Sequence, residues 1–246
     1  LPRPYSYDQF DKAQASGATC PVARDEAGGI IYGANGDPMP MYYDYNGTKY
    51  AFTGGDAIYE DVNHDGSIDQ YDVVYLGSSL PKLTGGFGFR LFYKGWSLNA
   101  QFNYRYGNKI ANVARMMAEN MHGADNQSTA VNYRWRKEGD GANGGHVLPR
   151  ALYGQGYNWM GSDRFVEDGS FLRLNYLQLS YGFDSKLVKR IGLSRLNLYV
   201  SGENLFCLTK YSGVDPEVNY GSMGVTKDEA ITPRAKSFTF GLTATF

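Results

Sequence analysis

An acidic segment at positions 61–72 has the residue types and spacing best suited to chemistry. Its pattern, D-x-N-x-D-G-x-x-D-x-x-D, is that of a calcium-binding loop, in which side-chain oxygens and one backbone carbonyl surround the ion. The sequence therefore predicts a candidate Ca²⁺ site formed by Asp61, Asn63, Asp65, Ser67 (through its carbonyl), Asp69 and Asp72. The alternative is a turn in which these side chains are solvated or accept hydrogen bonds from the neighbouring backbone.

The histidines and cysteines give only weak indications of a catalytic or metal-binding site. The three histidines, His64, His122 and His146, lie in separate predicted loops and share no spacing. Cys20 and Cys207 are too few for a four-cysteine zinc site, and the sequence leaves open whether they pair. The net charge of −1 gives no general electrostatic reason to bind nucleic acid. We therefore expect a protein that is not an enzyme and does not bind nucleic acid.

The segments that must position these residues alternate between apolar and polar side chains. From Trp96 to Tyr106 every even position is apolar or aromatic and every odd position is polar. A tilted transmembrane strand needs about 9–11 such residues. The pattern recurs over 87–93, 195–205 and 237–246. It changes phase within 173–183, where a β-bulge or a strand end rising out of the membrane would explain the change.

A soluble antiparallel sandwich would also alternate, so other features must separate it from a membrane barrel. Aromatic residues lie at the ends of the apolar faces, as they do at membrane interfaces. A tight turn at Lys94-Gly95 and a short connection at 184–193 alternate with long segments at 107–170 and 207–235. This alternation is typical of outer-membrane barrels. The sequence thus predicts an all-β fold, an antiparallel transmembrane β-barrel segment of about five strands that cannot close by itself.

We expect two regions along the chain. Residues 1–83 would form an extracellular loop region with the acidic turn at 61–72, and residues 84–246 would form the C-terminal barrel strands. The long loops at 107–170 and 207–235 would be extracellular. Two aromatic clusters in the predicted outer loops could stack on sugar rings, anchor a partner protein or pack within the loops. They comprise Tyr42, Tyr43, Tyr45 and Tyr50, and Tyr153, Tyr157 and Trp159.

Several segments together resemble one family of proteins. The chain is similar to the C-terminal portion of a SusC/RagA-family TonB-dependent outer-membrane transporter. The similarity runs from about position 60 to the last residue. The matching segments, in the order and spacing of the family, are EDVNHDGSIDQYDVVYLGSSLPKLTGGFG, YKGWSLNAQFNYRYGNKIAN, FVEDGSFLRLNYLQLSYGF, LNLYVSGENLFCLTKYSGVDPEVN and the terminal TATF.

The resemblance implies a large plugged barrel of about 22 strands in the bacterial outer membrane. It also implies active import of large nutrients, either glycans or oligopeptides. The implied partners are a SusD-like lipoprotein lid, TonB through an N-terminal part outside this sequence, the remainder of the same barrel and outer-membrane lipids. The acidic segment alone supports an alternative, a secreted calcium-dependent glycan-binding module similar to a dockerin, because position 12 of the loop is Asp72 instead of Glu.

Overall fold

The computed structural model describes residues 22–45, 47–57, 59–137, 140, 148–155, 157–217 and 226–246. They fall into two compact units. The loop unit takes its residues from Leu1–Leu76 and Asn112–Val166, and the sheet unit takes its residues from Gly77–Ala111 and Glu167–Phe246. No helix within the described ranges is long and apolar enough to cross a membrane.

The described strands form three sheets, ordered β2-β1-β3, β10-β6-β7 and β11-β9-β8-β5-β4. Their bounds are β1 (Tyr42–Tyr45), β2 (Thr48–Ala51), β3 (Ser67–Ile68), β4 (Leu83–Tyr93), β5 (Trp96–Tyr106), β6 (Lys109–Asn112), β7 (Val166–Asp168), β8 (Phe171–Gly182), β9 (Arg195–Thr209), β10 (Lys227–Asp228) and β11 (Ser237–Thr245). Short α-helices span Val113–Glu119 and Ser185–Lys189. Single 3₁₀ turns span Gln70–Asp72, Thr129–Tyr133, Tyr157–Trp159 and Asp163–Phe165.

The five-stranded sheet confirms the strands that alternation predicted. Its four pairings are all antiparallel, and β4 pairs with β5 along its whole length. The turn between these two strands has φ of 43° at Lys94 and 86° at Gly95. A type I′ turn needs positive φ at both central residues, and its twist matches that of the flanking strands. The predicted tight turn is therefore confirmed.

The register of this sheet sorts its side chains by polarity. On one face, three neighbouring rows across the strands are apolar: Phe87-Phe102-Leu174-Phe206, Phe89-Ala100-Leu177-Gly202-Phe238 and Leu91-Leu98-Leu179-Val200-Phe240. The other face carries rows such as Arg90-Asn99-Gln178-Ser201-Thr239. The ring centroid of Phe102 lies 5.0 Å from that of Phe87 and 6.5 Å from that of Phe206. One face therefore suits an apolar medium and the other suits water.

A β-bulge in β8 accounts for the change of phase seen in the sequence. Gln101 of β5 pairs with Tyr176, and the next residue, Phe102, pairs with Leu174. Asn175 consequently has no partner on β5, as expected for a strand that carries one extra residue. The leucines on both sides of the bulge then share the apolar face. The predicted β-bulge is therefore the cause of the change of phase in β8.

The loop unit has its own apolar core beside the β2-β1-β3 sheet. Its buried residues are Ala23, Met41, Phe52, Ala57, Tyr59 and Ile68. β1 lies in the centre of this sheet, antiparallel to β2 and parallel to β3. A second buried cluster comprises Met121, Leu148, Trp159 and Phe165 and contacts the helix Val113–Glu119 through Met116. Asn112 caps that helix by accepting a hydrogen bond from the Arg115 N–H at 2.9 Å.

Candidate functional site

The acidic loop lies in the loop unit and is folded by its own side chains. The carboxylate of Asp61 accepts hydrogen bonds from the backbone N–H groups of Asp65, at 3.2 Å, and Gly66, at 2.7 Å. Asn63 Oδ1 accepts from the Asp65 N–H at 3.1 Å, and the Asp65 carboxylate accepts from the Ser67 N–H at 2.8 Å. These bonds are of the kind that define Asx turns.

The end of the loop is capped in the same way. Asp69 accepts a hydrogen bond from the Tyr71 N–H at 2.7 Å. Asp72 accepts from the N–H groups of Asp69 and Val62, both at 2.8 Å. Burial raises the pKa of Asp72 above its usual value, although the backbone hydrogen bonds to the carboxylate lower it. The carboxylates thus hold the turn Gln70–Asp72 in place.

The donor set of this loop agrees in type with a hard cation, since every predicted ligand atom is an oxygen. The arrangement of these oxygen atoms is less suitable for binding a cation. Among the described residues, histidine, cysteine, aspartate and glutamate side chains form no group of three that could hold a metal ion. The carboxylates are instead engaged with backbone N–H groups, which is the geometry of the turn alternative. Calcium binding at Asp61–Asp72 stays a prediction.

Tyr157 of the second predicted aromatic cluster lies against the first cluster in the loop unit. The ring centroid of Tyr157 lies 4.9 Å from that of Tyr43 and 4.5 Å from that of Tyr50. Tyr43 also stacks on Tyr45, with a centroid distance of 6.4 Å and an angle of 8° between the rings. Trp159 packs instead in the second buried cluster. Residues more than a hundred positions apart thus form one aromatic surface.

A buried carboxylate supports this aromatic surface. Asp56 forms an ion pair with Arg150 at 2.6 Å and accepts a hydrogen bond from the Tyr50 hydroxyl at 2.9 Å. Asn158, next to Tyr157, donates to the same carboxylate at 3.3 Å. Burial and the neighbouring charge of Asp56 raise the pKa of Tyr50, so the phenol stays protonated and continues to donate. Asp56 therefore ties β2 to the segment that carries Tyr157.

A cleft of about 580 Å³ lies beside the aromatic surface, within the size range of small-ligand sites. Its walls combine tyrosine rings with carboxylates. The lining residues are Tyr43, Asp44, Tyr45, Gly47, Tyr59, Ile68, Asp69, Gln70, Asp72, Val73, Met160 and Gly161. The sequence identified the tyrosines and the acidic loop separately. It could not show that they share a cleft, because that depends on the pairing of β1 with β3.

On the polar face of the five-stranded sheet, Arg173 forms ion pairs with two carboxylates of the segment that follows β9. Arg173 Nε lies 2.5 Å from Glu217 Oε2, and the same guanidinium pairs with Asp215. Asn103 donates to Glu217 at 3.1 Å, and Arg234 lies 3.4 Å from it. Sequence reasoning missed this network. The available signal was an arginine inside a predicted strand together with two acidic residues in the predicted loop at 207–235.

The remaining candidate residues do not form a site in the described structure. His64 and His122 lie in separate parts of the loop unit, and Cys207 lies on β9. His146 and Cys20 lie outside the described residues. Whether Cys20 and Cys207 form a disulfide therefore stays open.

Comparisons with known proteins identify relatives of this chain. It is 30% identical over 199 residues to the TonB-dependent receptor P3 of Formosa agariphila, a match that covers 78% of this chain and 19% of the receptor. It is 28% identical over 222 residues to the TonB-dependent receptor SusC of Bacteroides thetaiotaomicron, covering 88% and 18% respectively. The structure of the RagAB peptide transporter matches with a TM-score of 0.63 and 25% identity, over 78% of this chain and 21% of that one. No protein-family model matches the chain.

The chain spans about a fifth of the length of these relatives. The matches confirm the predicted fold, since the paired strands are part of a larger antiparallel barrel. They give no support to the alternative of a secreted module similar to a dockerin. The chain belongs to the SusC/RagA family of TonB-dependent receptors and forms one part of the barrel.

Proposed function

We propose that the whole protein is a TonB-dependent importer in the bacterial outer membrane, and that this chain supplies five neighbouring strands of its wall. The observation that carries the proposal is the sorting of side chains across these strands into an apolar face and a polar face. In lipid, an open sheet edge would leave backbone groups without partners, at a cost of several kcal/mol for each group. The remainder of the same barrel therefore pairs with β4 and β11.

The two faces have different surroundings in this arrangement. Outer-membrane lipids contact the apolar rows that include Phe102 and Leu179, and the polar face lines the lumen. TonB acts through a part of the protein outside this sequence. The family assignment supports this arrangement, because the relatives are TonB-dependent receptors.

The cargo is a large nutrient, and a SusD-like surface lipoprotein covers the outer end of the barrel. Similarity to SusC supports the lipoprotein partner, and similarity to the RagAB peptide importer supports oligopeptides as cargo. Glycans are the other cargo class that the sequence leaves open. The protein performs no bond-breaking step, in line with relatives that are receptors and transporters.

Growth of a strain that lacks the gene tests the proposal. The deletion strain should grow like its parent on free amino acids and monosaccharides. It should fail either on oligopeptides or on the matching glycan, and a plasmid copy should restore growth. A plasmid copy without the TonB-contacting segment serves as the matched control and should not restore it. Equal growth of the parent and the deletion strain on all large nutrients would contradict import.

A further inference from the structure

We infer that the five-stranded sheet binds an anionic phospholipid on its apolar face, at the end of the sheet that has the short connections. An acyl chain would occupy a groove in this face, and the phosphate would lie beside lysine and arginine side chains. The inference rests on the proposed function, because it requires this face to contact membrane lipid. It follows from the groove, from the aromatic residues at its end and from the cations around that end.

The groove is a concave part of the apolar face with a volume of about 650 Å³. It crosses four strands, because it is lined by the row Trp96-Tyr181-Leu198-Leu242. Leu179 and Phe240 of the neighbouring apolar row also line it. No charged side chain is among the described residues that line the groove. The groove therefore suits a hydrocarbon chain better than a polar ligand.

Aromatic side chains indicate that this end of the groove lies at the boundary of membrane and water. The ring centroid of Tyr181 lies 4.8 Å from that of Trp96 and 5.0 Å from that of Phe183. Tyr93 stands opposite Trp96 on β4. Tryptophan and tyrosine are enriched at the depth of the lipid headgroups. A lipid whose chain enters the groove from this end therefore has its phosphate at the level of the adjacent turns.

Lys94 brings a positive charge to the apolar face at this level. It lies in the turn between β4 and β5, and its Nζ lies 5.3 Å from the centroid of the Tyr93 ring. Tyr93 belongs to the apolar face, because it alternates with Leu91 and pairs with Trp96. The Lys94 ammonium is therefore beside the edge of the groove that Trp96 forms. A lysine side chain in this position can reach a lipid phosphate.

The connection between β8 and β9 adds further cations at the same end. It joins the two central strands of the groove and exposes Lys186, Lys189 and Arg190. Its one acid, Asp184, accepts a hydrogen bond from the Lys186 N–H at 2.8 Å. Within the described part of the chain, neither these three cations nor Lys94 takes part in an ion pair. The excess of positive charge favours an anionic headgroup over a zwitterionic one.

The same connection also exposes two apolar side chains, 58% of Leu187 and 66% of Ile191. Basic and apolar side chains occur together in segments that lie at a membrane surface. In the proposed importer this end of the sheet faces the periplasm, because the long connections leave the opposite end. The phospholipid therefore belongs to the inner leaflet of the outer membrane.

Photo-crosslinking of the whole receptor in vesicles tests the inference. The probes are phosphatidylglycerol and phosphatidylcholine that carry the same diazirine on one acyl chain, each added as a minor component to phosphatidylcholine vesicles. Mass spectrometry then locates the adducts on the chain. Phosphatidylglycerol should give about fivefold more adducts than phosphatidylcholine at Leu198 and Leu242. Phe87 and Phe206, on the same face but farther from these cations, should give equal yields with the two lipids.

A variant without the cations should lose this preference at Leu198 and Leu242. It carries Lys94→Gln, Lys186→Gln, Lys189→Gln and Arg190→Gln. The matched control is Lys82→Gln with Lys236→Gln, which removes two exposed cations at the opposite end of the sheet and should keep the preference. Raising the salt concentration should reduce the preference of the wild-type receptor, because salt screens exposed charges. Leu198→Trp should fill part of the groove and lower the yield of phosphatidylglycerol adducts at Leu242.

The outcomes separate this inference from the proposed function. Equal yields of the two lipids at the groove of the wild-type receptor, or a preference that survives the four substitutions, would overturn the inference. A preference at Phe206 as strong as that at Leu198 would also overturn it, because it would reflect a general attraction of anionic lipid to the receptor. None of these results bears on import, which the growth of the deletion strain tests separately.

Discussion

Arg173 and Glu217 form an ion pair with Nε and Oε2 2.5 Å apart, and only 5% and 7% of their side chains are exposed. One residue lies on strand β8 and the other in the segment after β9, so the pair fixes that segment against the polar face of the sheet. A buried charge is stable only with its partner, because its desolvation is otherwise uncompensated. Arg173 is therefore the buried counter-ion of both Asp215 and Glu217 in this segment.

Replacing Arg173 with methionine should release this segment. The change leaves Asp215 and Glu217 buried without their main partner, which costs about 3–5 kcal/mol. Limited proteolysis of the purified receptor should show much faster cleavage within 207–235. Adding Asp215→Asn and Glu217→Gln should reduce the effect, since neutral amides need no counter-ion. Arg195→Met, on an exposed arginine, is the control, and equal cleavage of this control and Arg173→Met would refute the role of the ion pair.

The assignment of faces predicts the effect of a charge at Phe102. Phe102 lies in an apolar row between Phe87 and Leu174, so Phe102→Arg should destabilise the barrel by about 2–4 kcal/mol if the site is near the membrane midplane. Phe102→Leu is the matched control and should cost much less. The measurement is the urea midpoint of the receptor in lipid vesicles. A midpoint for Phe102→Arg equal to that of the leucine control would exclude a lipid-facing position.

Labelling with a membrane-impermeant thiol reagent checks the same faces independently. Gln101→Cys, on the polar face, should react faster than Phe102→Cys. Gln101 is a better probe of that face than Asn103, because the Asn103 side chain is bonded to Glu217. Faster labelling at position 102 than at position 101 would mean that the faces are reversed.

Removing Phe246 should impair assembly of the barrel more than it alters cargo binding. β11 is an edge of the described sheet, and its end is held by hydrogen bonds from Ser194 Oγ to the carbonyls of Thr245, at 3.0 Å, and Phe246, at 3.3 Å. Loss of Phe246 removes one of these two acceptors and weakens the anchoring of an edge strand. Surface levels measured with an antibody should fall several-fold, whereas Phe246→Tyr should be tolerated. Unchanged levels after the deletion would argue against this role.

The acidic loop offers a test of calcium binding. If it binds Ca²⁺, a structure determined with millimolar calcium should show the ion with oxygen distances of about 2.3–2.6 Å to Asp61, Asn63, Asp65, Ser67 and Asp72. Calorimetry with the whole receptor should then show binding that Asp61→Asn abolishes. Absence of an ion within about 3 Å of these oxygens would leave the turn as the only role. Asp61→Ala should destabilise the loop in either case, because the Gly66 N–H loses its acceptor.

The features that the sequence predicted are local, whereas the features that it missed join residues far apart in the chain. The strands, the tight turn at Lys94-Gly95 and the change of phase in β8 follow from local periodicity, so they could be predicted. The contact of Tyr43 with Tyr157 and the ion pair of Arg173 with Glu217 join distant parts of the chain. Such contacts depend on pairing and packing that a single sequence does not specify. The acidic loop is an intermediate case, because its spacing suits both a metal and a turn.

Asn175, the extra residue of the β-bulge, determines on which face of the five-stranded sheet Arg173 lies. Counting in twos from Leu179 and Leu177 would place Arg173 among the leucines, in contact with hydrocarbon. The extra residue resets the count, so that Arg173 instead reaches Glu217. Deleting the codon for Asn175 would therefore leave a strand of regular alternation with Arg173 still on the polar face, whereas a strand that kept Asn175 but paired without the bulge would bring the guanidinium into the hydrocarbon.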